Sequence, residues 1–106
     1  MRLKPDVGGA HLDLSNLDLG ATRMSGMDLR GVDLEGSSLA NADATDAHFD
    51  DALLYGAHLQ AACFAHASFR GAGLDEANVA GAVFVGTRGL DLSGAIDAKA
   101  AVTSAG

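Results

Sequence analysis

The sequence predicts an all-β solenoid, a chain of very short strands that turns a corner every five residues. Three observations carry this. A large apolar residue, the centre of its unit, recurs at every fifth position through residues 12–86. Two places before it stands another inward-type residue, alanine in every unit from Ala42 to Ala82. The last residue of most units is a turn former. A helix does not fit that period, because five residues advance about 500°, roughly 140° net, and would scatter the large side chains. A flat strand does not fit either: five is odd, so successive large residues would change face. The chain must bend once per unit.

Taken in order, residues 1–11 read as an N-terminal cap, with Pro5 suited to an edge or an entry turn. Residues 12–86 then hold fifteen units without a gap, centred on Leu14, Leu19, Met24, Leu29, Leu34, Leu39, Ala44, Phe49, Leu54, Leu59, Phe64, Phe69, Leu74, Val79 and Phe84. Ala44 alone is small, which leaves space for Met24 or Phe64. The residue before each centre points outward by strand alternation and is mostly polar, as at Asp13, Asp18, Asp28, Asp33 and Asn78. Seven units end in Gly and four in Asn or Asp, residues that tolerate the positive φ of a sharp corner. Early units carry Leu12, Leu17 and Met27 at the first inward position, which predicts a wider section there. Residues 87–106 read as a C-terminal cap and tail. "TRG" (87–89) breaks the register, "LDLSG" (90–94) is a displaced unit centred on Leu92, and the chain is expected to fray past Lys99.

The units "LDLSN", "MDLRG", "VDLEG", "ADATD" and "ANVAG" resemble the pentapeptide-repeat proteins. The resemblance implies a right-handed quadrilateral β-helix with four units per coil, hence about four coils. Residue i then lies beneath residue i+20. The first wall has the inner column Leu14, Leu34, Leu54, Leu74, and the second Leu19, Leu39, Leu59, Val79. The third has Met24, Ala44, Phe64, Phe84, and the fourth Leu29, Phe49, Phe69.

Composition narrows the function. There are 7 basic and 14 acidic residues, a net charge of −7, which disfavours direct nucleic-acid binding. Cys63 is the single cysteine, so an internal disulfide is excluded and a zinc site is disfavoured. No apolar leader or membrane-length run is present, and a cytoplasmic location without membrane association is the expectation. His48, His58 and His66 fall on different walls and His11 precedes the repeat, so they do not converge on a metal. Paired carboxylates at Asp50–Asp51 and Asp75–Glu76 lie on a convex rod without a cleft to desolvate them. No enzyme activity and no cofactor are expected.

The reading that remains is a non-catalytic interaction or scaffold module. Its candidate partner-binding residues share the first wall: Asp13, Asp33, Glu35, Tyr55, Asp75 and Glu76, with no basic residue among them. They suit a protein partner with a basic surface. The fourth wall is expected to neutralise itself through Arg30, Asp50 and Arg70, stacked in one file. The alternative comes from the resemblance: some pentapeptide-repeat proteins mimic B-DNA and bind type II topoisomerases such as DNA gyrase. Residues 12–86 hold eleven acids and three arginines, net −8. Duplex DNA over the expected rod length of ~19 Å carries about eleven negative charges. The gyrase-binding members are longer and dimerise end to end, and here a monomer or an end-to-end homodimer through residues 87–98 is expected.

Overall fold

The computed structural model describes residues 12–104, so the expected cap over residues 1–11 lies outside the described residues. Four ladders of parallel bridges join residues twenty apart. They run Asp13–Asp33–Leu53–Gly73, Asp18–Ser38–His58–Asn78, Arg23–Asp43–Cys63–Val83 and Asp28–His48–Ser68–Arg88. Each ladder residue stands one place before a centre, so the chain passes four walls and then lies over its own earlier course. All fifteen unit ends have positive φ, seven at glycine and eight at other residues. Among the latter, Ala21, Ala61, His66 and Glu76 are not turn formers. There the stacked rows impose a left-handed corner that costs about 1–2 kcal/mol in an L-residue.

Hydrogen bonding explains why one outward position favours Asp or Asn. The centre amide and the corner amide each donate to the next row, as Leu34 N–H does to Leu53 O at 2.8 Å and Gly31 N–H to Asp50 O at 2.9 Å. The amide before the centre donates to the preceding row, and the first amide of a unit closes the corner behind it. The amide after the centre is left over: among the described residues none from Ser15 to Val85, counted in fives, meets a backbone acceptor. In seven of the fifteen units the side chain before the centre supplies one. Asp18 Oδ1 accepts from Gly20 N–H at 3.0 Å, Asp43 from Thr45 N–H at 3.1 Å, and Asn78 from Ala80 N–H at 3.0 Å. A Ser hydroxyl, Asp carboxylate or Asn carboxamide oxygen two residues back is well placed for this.

Both inward positions are buried from Leu19 to Phe84 with the single exception of Ala72, which is half-buried. Ala44 is fully enclosed in its column between Met24 and Phe64. Phe49 stacks on Phe69 at 5.3 Å and Phe64 on Phe84 at 5.3 Å, while the two columns meet edge to face at 5.4–5.7 Å. These are the favoured geometries for aromatic pairs. The polar inward residues are satisfied: Thr22 Oγ1 donates to Leu19 O, and Ser37 Oγ donates to Leu14 O. Leu17 departs from the expected inward placement and is 43% exposed, whereas Met27 is buried. At that corner the Ser37 hydroxyl accepts the Leu17 amide at 3.1 Å, replacing the amide–carbonyl bond that closes the other corners.

The C-terminal segment keeps the register longer than the sequence suggests. Arg88 still bridges Ser68, and the break follows at Gly89, where a three-residue unit ends at φ 70°. Residues 90–94 form the expected five-residue unit, Leu92 O accepting from Ala95 N–H at 3.0 Å. The tail does not fray at Lys99. A 3-10 turn at Ala98–Ala100 leads to Val102, which pairs with Val83 and accepts from Phe84 N–H at 2.7 Å. Among the described residues no helix is long and apolar enough to cross a membrane.

Candidate functional site

The first wall is built from two outward files. One is the ladder Asp13–Asp33–Leu53–Gly73. The other is Ser15, Glu35, Tyr55 and Asp75, stacked through Asn16 N–H to Glu35 O, Gly36 N–H to Tyr55 O and Gly56 N–H to Asp75 O. Glu76 sits at the corner beyond, with φ 63°. Asp33, Glu35 and Tyr55 come together around a depression of about 330 Å³ that Ser15, Asn16, Gly36 and Gly56 complete. Asp13, Asp75 and Glu76 lie on the same wall but do not line it.

Two features of this depression escaped the sequence reading. Its floor is the corner column at Gly36 and Gly56. A Cβ on Gly56 would meet nothing within 4 Å, whereas the space beside Gly36 is occupied by the Asn16 carboxamide. Two glycines twenty residues apart in one corner column were the available signal. Beside them Leu53, at an outward position, is 47% exposed and Tyr55 56%, so the wall is amphipathic rather than merely acidic.

The acids of the wall differ in their commitments. Asp13 Oδ1 accepts from the Ser15 hydroxyl at 2.6 Å and the Ser15 amide at 2.9 Å, which holds its pKa below the usual carboxylate value. Asp33 Oδ1 accepts from Glu35 N–H at 3.0 Å. Glu35 and Glu76 have no side-chain hydrogen bond among the described residues and are exposed, as is Asp75.

The fourth wall departs from expectation. Arg30 pairs with Asp28, two residues away on the same strand face, with Nε to Oδ1 at 2.8 Å and Nη2 to Oδ2 at 2.7 Å. This bidentate contact depresses the Asp28 pKa to about 2. Asp50 is not in the expected ion-pair file, because its Oδ1 accepts from the Ser68 hydroxyl and from Arg70 N–H at 2.9 Å. Elsewhere, His48 and His58 lie in different ladders, and the half-buried Cys63 has Sγ 3.4 Å from Thr45 Oγ1. Among the described residues no group of three His, Cys, Asp or Glu side chains is placed to hold a metal ion.

A family model described as pentapeptide repeats matches residues 13–51 and 52–88, in eight copies. The pentapeptide-repeat protein Rfr23 from the cyanobacterium Cyanothece 51142 is similar in structure, with a TM-score of 0.80 and 30% identity over 86% of this chain. The match covers 63% of Rfr23, so the chain spans less than two thirds of that protein's length. A pentapeptide-repeat protein of the Arabidopsis thaliana thylakoid lumen gives a TM-score of 0.61 and 29% identity, covering 82% of this chain and 66% of that one. No curated protein sequence matches the chain.

Proposed function

The chain belongs to the pentapeptide-repeat family, whose members fold as right-handed β-helices, and on that premise we propose that it is a non-catalytic interaction module whose first wall docks a basic protein surface. The observation that carries this reading is the depression that Asp33, Glu35 and the exposed Tyr55 line together. A lysine or arginine side chain from a partner would find carboxylates for its charge there and an aromatic face for its stem. The architecture we infer is quadrilateral: fifteen units at four per turn make about four coils. Glu35, Asp75 and Glu76 of the first wall are exposed rather than desolvated, which supports a scaffold rather than an enzyme.

The location we infer is cytoplasmic. Association, where it occurs, is end to end through residues 87–98, supported by the exposed Ile96 and Val102 at that end (42% and 43%). The second reading is the DNA mimic that binds a type II topoisomerase, supported by the eleven acids of residues 12–86. One experiment tests both. Affinity capture from host lysate is run with the wild type and with an Asp33→Asn, Glu35→Gln, Asp75→Asn variant. A basic partner held by the wild type, released by salt and lost with the variant supports the docking wall. Recovery of topoisomerase subunits, displaced by linear duplex DNA, supports the mimic. A partner captured equally by both chains rejects the first wall as the binding surface.

A further inference from the structure

The register break at Gly89 leaves unpaired donors beside two arginines at the C-terminal end of the fourth wall. In the rows before it each corner amide donates to the residue nineteen places on, as Gly31 does to Asp50 at 2.9 Å and Asp51 to Arg70 at 2.8 Å. Gly71 is next in that column, and in register its acceptor would be Leu90 O. The three-residue unit turns away first, and among the described residues the amides of Gly71, Gly89 and Leu90 meet no acceptor. Gly71 and Gly89 are exposed and Leu90 is half-buried. Both glycines are left-handed, at φ 74° and 70°.

Arg70 and Arg88 frame these amides. Arg88 stands in the ladder over Ser68, and Arg70 is packed against Gly89, where an added Cβ would lie 2.8 Å from Arg70 Cα. The arginines occupy the two outward positions of neighbouring rows, so both side chains leave the same face, and both are exposed. Among the described residues the one ion pair is Arg30–Asp28, so neither guanidinium is matched to a carboxylate. Asp91 follows Leu90 directly, its Oδ1 occupied by the Ser93 amide and hydroxyl, and Asp50 and Asp51 lie one row before. Asp50 Oδ1 is occupied by the Ser68 hydroxyl and the Arg70 amide, and the Asp51 carboxylate rests against Gly71.

We propose that Arg70, Arg88 and the amides of Gly71, Gly89 and Leu90 form a binding site for a tetrahedral oxyanion of the phosphate class. Backbone amides flanking a left-handed residue converge on anions, and arginine adds charge-assisted bonds in a fixed fork. Gly71 and Gly89 remain exposed with the Asp51 carboxylate against the first and the Arg70 stem against the second, so a ligand would meet the amides beside these two side chains. On a chain of net charge −7 this is a local reversal of sign, separate from the acidic first wall and independent of the docking proposed for it.

The test is an amide NMR titration of the full chain with inorganic phosphate and, separately, with O-phosphoserine, against sodium chloride at matched ionic strength. Saturable shifts of the Gly71, Gly89 and Leu90 resonances are expected, with Gly26 unmoved. Arg70→Gln and Arg88→Gln should each weaken binding roughly two- to fivefold, and Asp51→Asn should strengthen it by a similar factor. Response to phosphate marks a free-anion site, and response to phosphoserine alone marks a monoester site. Shifts that chloride reproduces, or arginine variants that fold normally and bind as tightly as the wild type, overturn the proposal.

Discussion

Replacing Phe64 by alanine tests whether the rod depends on its aromatic columns. The ring is fully buried, stacked on Phe84 at 5.3 Å and edge to face with Phe49 and Phe69 at 5.6 and 5.4 Å. Truncating a buried Phe to Ala costs about 3–5 kcal/mol, more when the surroundings cannot collapse into the space. Here they cannot easily do so. Ala44 precedes Phe64 in the column, so the variant would place two alanines in succession and join their spaces. We therefore expect the upper part of that range, about 4–5 kcal/mol, a large share of the ~5–15 kcal/mol that holds a domain folded. Tyr55→Ser is the control, since a ring 56% exposed should change stability by about 0.5 kcal/mol or less. Gln60 makes a poorer control despite its outward register, because its Oε1 is covered and has no partner. Urea unfolding followed by far-ultraviolet circular dichroism measures both. A loss under about 1.5 kcal/mol for Phe64→Ala, or equal losses for the two variants, would refute the interior assignment.

Stability should also fall with acid through Asp28. Its folded pKa, about 2, lies below the ordinary carboxylate value of 3.8, so its contribution is present above pH 4 and is lost as pH drops toward 2. The urea midpoint of the wild type should therefore fall more over that window than that of Asp28→Asn, and parallel curves would contradict the ion-pair assignment. Corner glycines provide a further comparison. Gly26 and Gly36 share φ 70°, but a Cβ on Gly26 meets nothing within 4 Å while one on Gly36 runs into the Asn16 carboxamide. Gly26→Ala should cost about 1–2 kcal/mol, and Gly36→Ala roughly 1 kcal/mol more. Adding Asn16→Ala to the second variant should close the gap in melting temperature; a gap that persists would show that the corner, not the contact, sets the cost.

The period made the walls and inner columns legible because it is a statement about geometry: an odd step, strand alternation and a turn former leave one solution. Features that depend on two rows at once were not legible. Ala21, Ala61, His66 and Glu76 take left-handed corners against their own preference, and only stacking explains that. Arg30 was expected to bond along its file, where Asp50 lies one row away, but Asp28 on its own strand is reached in bidentate geometry. Leu17 looked inward by register, yet its corner is opened by a serine twenty residues later. In the candidate site the charges could be read from the chain, while the depression required knowing that Gly36 and Gly56 share a corner column.

The hydrogen bonds also divide the acidity of the rod into two kinds. Asp13, Asp18, Asp28, Asp33, Asp43 and Asp91 each accept from the amide two residues on, so the fold itself accounts for them. An acid that caps its own turn is weak evidence for a partner, since it would stand there in a rod that bound nothing. Glu35, Asp75 and Glu76 stand outside the capping position, and no turn requires them. Leu53 replaces the capping residue altogether, leaving the Tyr55 amide without a side-chain acceptor and an apolar surface exposed. On the fourth wall Asp50 holds the same position in its unit as Glu35 and Asp75 but is engaged by the Ser68 hydroxyl and the Arg70 amide, whereas Glu35, Asp75 and Glu76 gather on the first wall beside the exposed Leu53 and Tyr55. That departure from structural need, rather than the total negative charge, is the reason to look for a partner there.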